Sequence, residues 1–270
     1  VAIYTNIGSD HLDRHGSMQA YRAVKARLAQ LSAAGTVVLN ADDEGCRALG
    51  ATLDGDVRWY GLDDGSLPAT VDAGQVCLDG EPLMPASEVP LPGRHMLSNV
   101  LAAALGAHQA GAPSGAIATA VRGFGGVAHR MEPLAERGGV RWVNDSQATI
   151  PMATVAALEA YAPAPVILIA GGRGKGLDYG ALADAIARRA RAAILIGETA
   201  GELAGLIGER LPVQRASSMD EAVAAAAGMA RQGDVVLLSP AAASFDMFDD
   251  YAARGDAFRR AVAALGEADA

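Results

Sequence analysis

Val166-Ile167-Leu168-Ile169-Ala170-Gly171-Gly172-Arg173-Gly174-Lys175-Gly176 is the stretch whose reading decides the fold. Its apolar run is too short for a buried helix and rich in β-branched residues, so it reads as a strand covered on both faces. The glycines end that strand and open a loop. Working outward, helical spacing over 179–190, 200–208 and 220–231 alternates with short apolar runs at 193–196, 212–215 and 235–238, before a final helix. Upstream lie a hairpin ending in Val140-Arg141-Trp142-Val143 and a helix after Pro151. This alternation predicts an α/β fold, a parallel sheet doubly wound by helices on both faces, in the Rossmann manner.

The first half is organised differently. A strand at the start is followed by Ser9-Asp10-His11-Leu12-Asp13-Arg14-His15 and a helix over 17–31, with Met18, Tyr21, Val24, Leu28 and Leu31 as its apolar stripe. Lys25 falls on that stripe, which predicts a partly buried amine. Strands follow at 36–40 and 57–60, hairpins between 61 and 92, and an alanine-rich helix opened by Pro92-Gly93-Arg94-His95. After a second helix at 114–122, Gly123, Gly125 and Gly126 break the pattern. The expected division is residues 1–127 and 128–270.

Composition narrows the function classes. A formal charge of −9 gives no basic face for phosphate backbones, which excludes a general nucleic-acid binder. No apolar run reaches membrane-spanning length and no signal peptide is visible, so neither membrane nor export is expected. Cys46 and Cys77 have no metal-ligand or redox spacing and read as buried thiols of a cytoplasmic protein. The opening Val1-Ala2-Ile3-Tyr4-Thr5 resembles a buried strand, so the chain reads as a fragment. Of 22 Lys and Arg residues only Lys25 and Lys175 are lysines. An amine can do what a guanidinium cannot: lose its proton, or take up carbon dioxide as a carbamate.

Ligands of open parallel sheets gather beyond the carboxyl ends of strands. Asn144-Asp145-Ser146-Gln147-Ala148-Thr149 precedes a helix with Pro151 in its first turn, and reads as an anion site or a helix cap. The glycine loop around Lys175 reads as an anion cradle or a plain turn; it is neither a Walker A nor a dinucleotide motif. Ser239-Pro240-Ala241-Ala242-Ala243-Ser244-Phe245-Asp246 offers two hydroxyls without a nearby histidine, so Ser244 suits substrate binding, not covalent catalysis. His11, flanked by Asp10 and Asp13, reads as structural or, beside a carbamylated Lys25, as a ligand of a hard cation.

In order and spacing these segments resemble the Mur ligases, ATP-dependent amide-forming enzymes of peptidoglycan synthesis, and most of all the branch that adds D-glutamate. The carriers are Asp10-His11-Leu12-Asp13-Arg14, Tyr21-Arg22-Ala23-Val24-Lys25, Asn40-Ala41-Asp42-Asp43, His129-Arg130-Met131-Glu132, Asn144-Asp145-Ser146, Gly171-Gly172 with Gly174-Lys175, and Leu238-Ser239-Pro240-Ala241. The resemblance implies the latter part of a central ATPase domain over 1–127 and a whole C-terminal Rossmann-like domain over 128–270. The uridine-binding domain and P-loop would be absent, and the piece inactive alone. It further implies ATP and Mg2+ as cofactors, with His11 and carbamylated Lys25 holding the metal in a catalytic role, and Asn99, Arg130 and Asp145 contacting the nucleotide. Thr149, Lys175, Ser244, Phe245 and Tyr251 would hold D-glutamate, which joins a UDP-linked muramoyl substrate through an acyl phosphate in a monomeric enzyme.

Two departures stand out. Met96 replaces a family asparagine near the adenine side, and Gln147 replaces a lysine beside the amino-acid pocket, a charge that Arg173 could restore. The remaining alternatives are a sister Mur or folylpolyglutamate-type ligase adding another amino acid, and a non-catalytic small-anion binding module.

Overall fold

The computed structural model describes residues 1–8, 15–32 and 35–265, so His11 lies outside the described residues. Two compact units divide the chain, Val1–Gly125 and Gly126–Ala270.

In the first unit the strands β1 (Ala2–Tyr4), β2 (Val37–Asn40), β3 (Val57–Tyr60) and β4 (Ala69–Asp72) run parallel. Hairpins then add β5 (Gln75–Leu78) and β6 (Glu81–Pro85) antiparallel, so strands lie in sequence order across one sheet. Helices α1 (Met18–Leu31) and α2 (Glu44–Gly50) lie between strands, and α3 (Arg94–Gln109) and α4 (Ser114–Arg122) follow them. The two-residue period of β2 sorts its side chains. Val38 joins Leu101 and Leu105 of α3 in one buried cluster, while Val37 and Leu39 join Tyr21, Ala29 and Cys46 in another. Sequence spacing missed α2, which Asp43 caps by accepting from the Cys46 N–H. Both cysteines are free and buried, and burial is the main cause that pushes the Cys46 thiol up to about 12.

The α1 expectation needs correction. Tyr21 and Ala29 are buried and Met18 and Ala26 pack beside them, but Val24, Leu28 and Leu31 are exposed, and so is Lys25. The helix carries two apolar faces, and the one with small alanines lies closest to the sheet. Its seat is fixed by Tyr4, whose hydroxyl accepts from the Ala29 N–H and donates to the Lys25 carbonyl, each at 2.8 Å. Those groups are the two ends of a single helical rung.

The second unit opens with the antiparallel pair β7 (Glu132–Arg137) and β8 (Val140–Asn144). Then come α5 (Pro151–Ala160), β9 (Val166–Gly171), α6 (Gly180–Arg189), β10 (Ala190–Ile196), α7 (Ala200–Ile207), β11 (Val213–Arg215), α8 (Met219–Met229), β12 (Val235–Leu238) and α9 (Tyr251–Ala264). The strand order is β11-β10-β9-β12-β8-β7, parallel except at β7. Every residue of β9 is buried, as its apolar run requires. Ile167 and Ile169 meet Val223 and Ala226 of α8 and Phe258 of α9 in one cluster. Right-handed crossovers carry the chain from β9 toward β10 over one face and return it from β11 to β12 over the other. The segments leaving β9 and β12, adjacent strands, therefore depart in opposite directions, and in such sheets ligands gather at that point.

Candidate functional site

The carboxyl end of the second sheet carries the loops after β8, β9, β10 and β12, and backbone bonds tie the last three together. Gly171 N–H donates to Pro240 O at 2.8 Å, Arg173 and Ala243 exchange two bonds at 2.8 and 3.0 Å, and Thr199 N–H donates to Gly172 O at 3.0 Å. Gly172 has φ +141, and a Cβ there would lie 2.2 Å from Ala243 O. Glycine is required because two loop backbones meet at that point.

At this end of the sheet the Lys175 Nζ reaches the Thr149 Oγ1 at 3.3 Å, so two residues expected to hold the amino acid meet, although 26 positions separate them. Ser244 is buried, whereas Phe245 and Tyr251 present open ring surface at 62% and 39% exposure. Tyr251 is the first residue of α9, capped by Asp250, and its carbonyl accepts from Ser146 Oγ at 2.7 Å.

Asp145 is sunk beneath the loop after β8. Its Oδ2 accepts from Ser239 Oγ at 2.8 Å and its Oδ1 from the Met131 N–H at 3.2 Å. Burial, only partly offset by these bonds and by the Arg130 charge, raises its pKa to about 6. The Ser239 and Thr154 hydroxyl oxygens lie 3.1 Å apart, a buried pair behind Asp145 that spacing alone did not point to; with the Ser239 proton given to Asp145, Ser239 Oγ is the acceptor of this pair. Arg130 is exposed, and its Nε donates to Gln147 Oε1 at 2.9 Å. Gln147 thus holds the guanidinium where a lysine would repel it. Arg173 lies 3.4 Å from Glu198, which matches its charge.

The turn carrying Arg130 is clamped from both sides. His129 and Met131 adopt φ +63 and +47, a left-handed region that non-glycine residues enter only when held. The Gln147 N–H donates to His129 O at 3.0 Å, and Asn144 Nδ2 lies 3.0 Å from both His129 Nδ1 and Glu132 Oε2. Burial works to raise the Glu132 carboxyl, but the His129 N–H and the Arg259 guanidinium outweigh it and hold it below its usual range.

In the first unit Lys25 stands exposed with its Nζ 5.3 Å from the centre of the Tyr21 ring, contrary to the partly buried amine expected. Asn99, on α3, is half-buried and donates to the Met96 sulfur at 3.8 Å, so the methionine at the departed position engages the asparagine side chain itself. Among the described residues no group of three or more His, Cys, Asp and Glu side chains converges to hold a metal. Nor is any helix of those residues long and apolar enough to cross a membrane.

Residues 1–107 match the Mur ligase middle domain and residues 129–242 the Mur ligase glutamate ligase domain. The chain belongs to the Mur ligase family. It is 43% identical over 274 residues to a UDP-N-acetylmuramoylalanine--D-glutamate ligase of Solibacter usitatus, covering 100% of this chain and 61% of that protein. An enzyme of the same name from Frankia casuarinae is 44% identical, with 97% of this chain and 57% of that protein covered. The chain therefore spans about three fifths of the length of these relatives. Among solved structures, a pseudomurein peptide ligase type C from Methanothermus fervidus aligns with TM-score 0.75 at 16% identity, over 97% of this chain and 62% of that one. A MurF ligase from Thermotoga maritima in complex with ADP aligns with TM-score 0.69 at 16% identity, over 96% and 61%. At such identities the likeness speaks for the Mur ligase fold alone.

Proposed function

We propose that this chain is part of an ATP-dependent amide ligase that adds D-glutamate to UDP-N-acetylmuramoyl-L-alanine in peptidoglycan synthesis, acting as a cytoplasmic monomer. The observation that carries the reading is the Lys175–Thr149 contact at the carboxyl end of the sheet, with Ser244 and Phe245 on the loop after β12 and Tyr251 at the start of α9, in a chain whose relatives at 43 and 44% identity bear that enzyme name. Lys175 suits a carboxylate of the incoming amino acid, and the Thr149 hydroxyl can accept from its ammonium and donate to the same ligand.

In this reading the γ-phosphoryl of ATP passes to the muramoyl-alanine carboxylate and ADP leaves; the amine of D-glutamate then attacks the acyl phosphate carbon, and phosphate and a proton leave as the amide forms. The chain's own residues contribute positioning and charge. Arg130, held at Nε by Gln147, keeps its outer N–H groups for phosphate oxygens, and each Asp145 oxygen, with one protein donor, retains further accepting capacity. Asn99 faces the adenine. His11 and a carbamylated Lys25 would hold Mg2+, which would supply charge neutralisation in phosphoryl transfer. A carboxylate formed on the Lys25 amine would be a hard oxygen ligand that suits this ion. In domain terms, residues 1–127 form the latter part of the central ATP-binding domain and 128–270 the C-terminal domain.

The test is an amide-forming assay on the full-length enzyme with D-glutamate, L-glutamate, L-lysine and diaminopimelate. D-glutamate alone should give product with release of phosphate. Preference for another amino acid would move the chain to a sister ligase, and product with none of them would refute the reading.

A further inference from the structure

The guanidinium of Arg254, in the first turn of α9, is fully buried, and among the described residues no carboxylate lies within ion-pair distance of it. Four protein oxygens solvate it instead. Nε donates to Ser146 Oγ at 3.0 Å and NH2 to Ser146 O at 2.9 Å. NH1 donates to Ala242 O at 3.1 Å and to Ala243 O at 3.3 Å. Burial pushes its pKa down to about 10, opposed by the more distant charge of Asp246. A buried cation without a counter-ion is costly, and a leucine or methionine would fill the same space without that cost.

What apolar packing could not do is hold two loops at fixed spacing. The planar fork of five N–H groups joins the loop after β8, at Ser146, to the loop after β12, at Ala242 and Ala243. The third loop lies against it too, since a Cβ on Gly172 would come within 3.1 Å of NH1. Asp145 and Thr149 flank the first attachment, and Ser244 and Phe245 follow the second. Asp246, next along the second loop, accepts from the Glu198 N–H at 2.9 Å and ties in the loop after β10.

We propose that Arg254 is a positioning residue of the amino-acid pocket: without touching the ligand, it sets the separation of the Thr149 and Ser244 loops and thereby the grip on the incoming acidic amino acid. This rests on the ligase reading above. The bracing itself is a statement about the loops and can be measured apart from activity.

The experiment uses the full-length enzyme with Arg254→Met, Arg254→Lys and the milder Ser146→Ala, which removes one acceptor and keeps the cation. Amide hydrogen exchange should rise at 144–149 and 241–246 in Arg254→Met while β9 and β10 stay protected. The Michaelis constant for D-glutamate should rise roughly tenfold or more while that for ATP moves by less than about twofold. Arg254→Lys should fall between, because an ammonium cannot reach all four oxygens. Unchanged exchange at both loops, or protection lost evenly over the unit with both Michaelis constants unmoved, would overturn the proposal. Should Arg254→Met not fold, Ser146→Ala with unaltered loop exchange and unaltered D-glutamate constant overturns it equally. A wild-type enzyme that ligates no amino acid defeats the ligase reading, and the exchange result alone then decides whether Arg254 braces the loops.

Discussion

Asp145 is a carboxyl group that burial pushes well above its ordinary range. Its folded pKa of about 6 lies above the ordinary carboxylate value, so between the two the folded chain holds a proton that the unfolded chain has lost. Its contribution to stability is therefore full below the unfolded pKa, near 4, and is lost as pH rises through about 6. Urea melts across that range should show Asp145→Asn with a flatter dependence on pH than the parent, and an unchanged slope would count against it. Tyr4 makes a second residue-scale case. Tyr4→Phe removes the hydroxyl that spans the Lys25–Ala29 rung and should cost about 1–3 kcal/mol in denaturant melts, since a buried donor and acceptor lose their partner together. For Lys25 the expectation is functional: Lys25→Ala should abolish ligation by the full-length enzyme, and short carboxylic acids should restore some of it. Full activity of the alanine variant would exclude a metal-holding carbamate. Lys175→Ala and Thr149→Val should both raise the D-glutamate Michaelis constant in the same assay.

At the scale of elements, the glycine loop after β9 is where sequence and geometry meet most closely. Gly172→Ala would place a methyl against the Ala243 carbonyl at a φ that L residues rarely adopt, and should destabilise by at least 2 kcal/mol or part the β9 and β12 loops. Thermal melts and the exchange of the Arg173 and Ala243 amides would read either result. The strands of the second unit were legible because each is a short apolar run set off by Gly, Pro or polar residues, and β12 falls on the expected 235–238. Helix α2 was not legible, because seven residues give too few turns for a period and only the Asp43 cap marks it. On α1 the period was visible but its phase was not. Met18, Tyr21, Val24, Leu28 and Leu31 make as good a stripe as the face that packs, and the choice fell to alanines that let the helix approach the sheet.

For the whole molecule, each unit has a core of its own. Val38, Tyr60 and Leu101 belong to the first, and Ile167, Val236 and Phe258 to the second. Residues 126–270 expressed alone should therefore fold in a single cooperative transition by calorimetry with far-UV circular dichroism; a broad, non-cooperative melt would contradict that. By itself the sequence determined the α/β class, the alternation that winds the second sheet, and the family, because period, glycine placement and local motifs are properties of neighbours along the chain. The tertiary structure alone decided that Lys25 stands exposed, that Asp145 lies sunk under Ser239 and Met131, and that Arg254, an unremarkable helix arginine when read in line, solvates its charge on two distant loops. Those outcomes depend on which face an element buries and which oxygens meet in the interior. Both are set by packing between segments that are not neighbours along the chain, 21 residues apart for Tyr4 and Lys25 and 108 for Ser146 and Arg254, where local spacing carries no information.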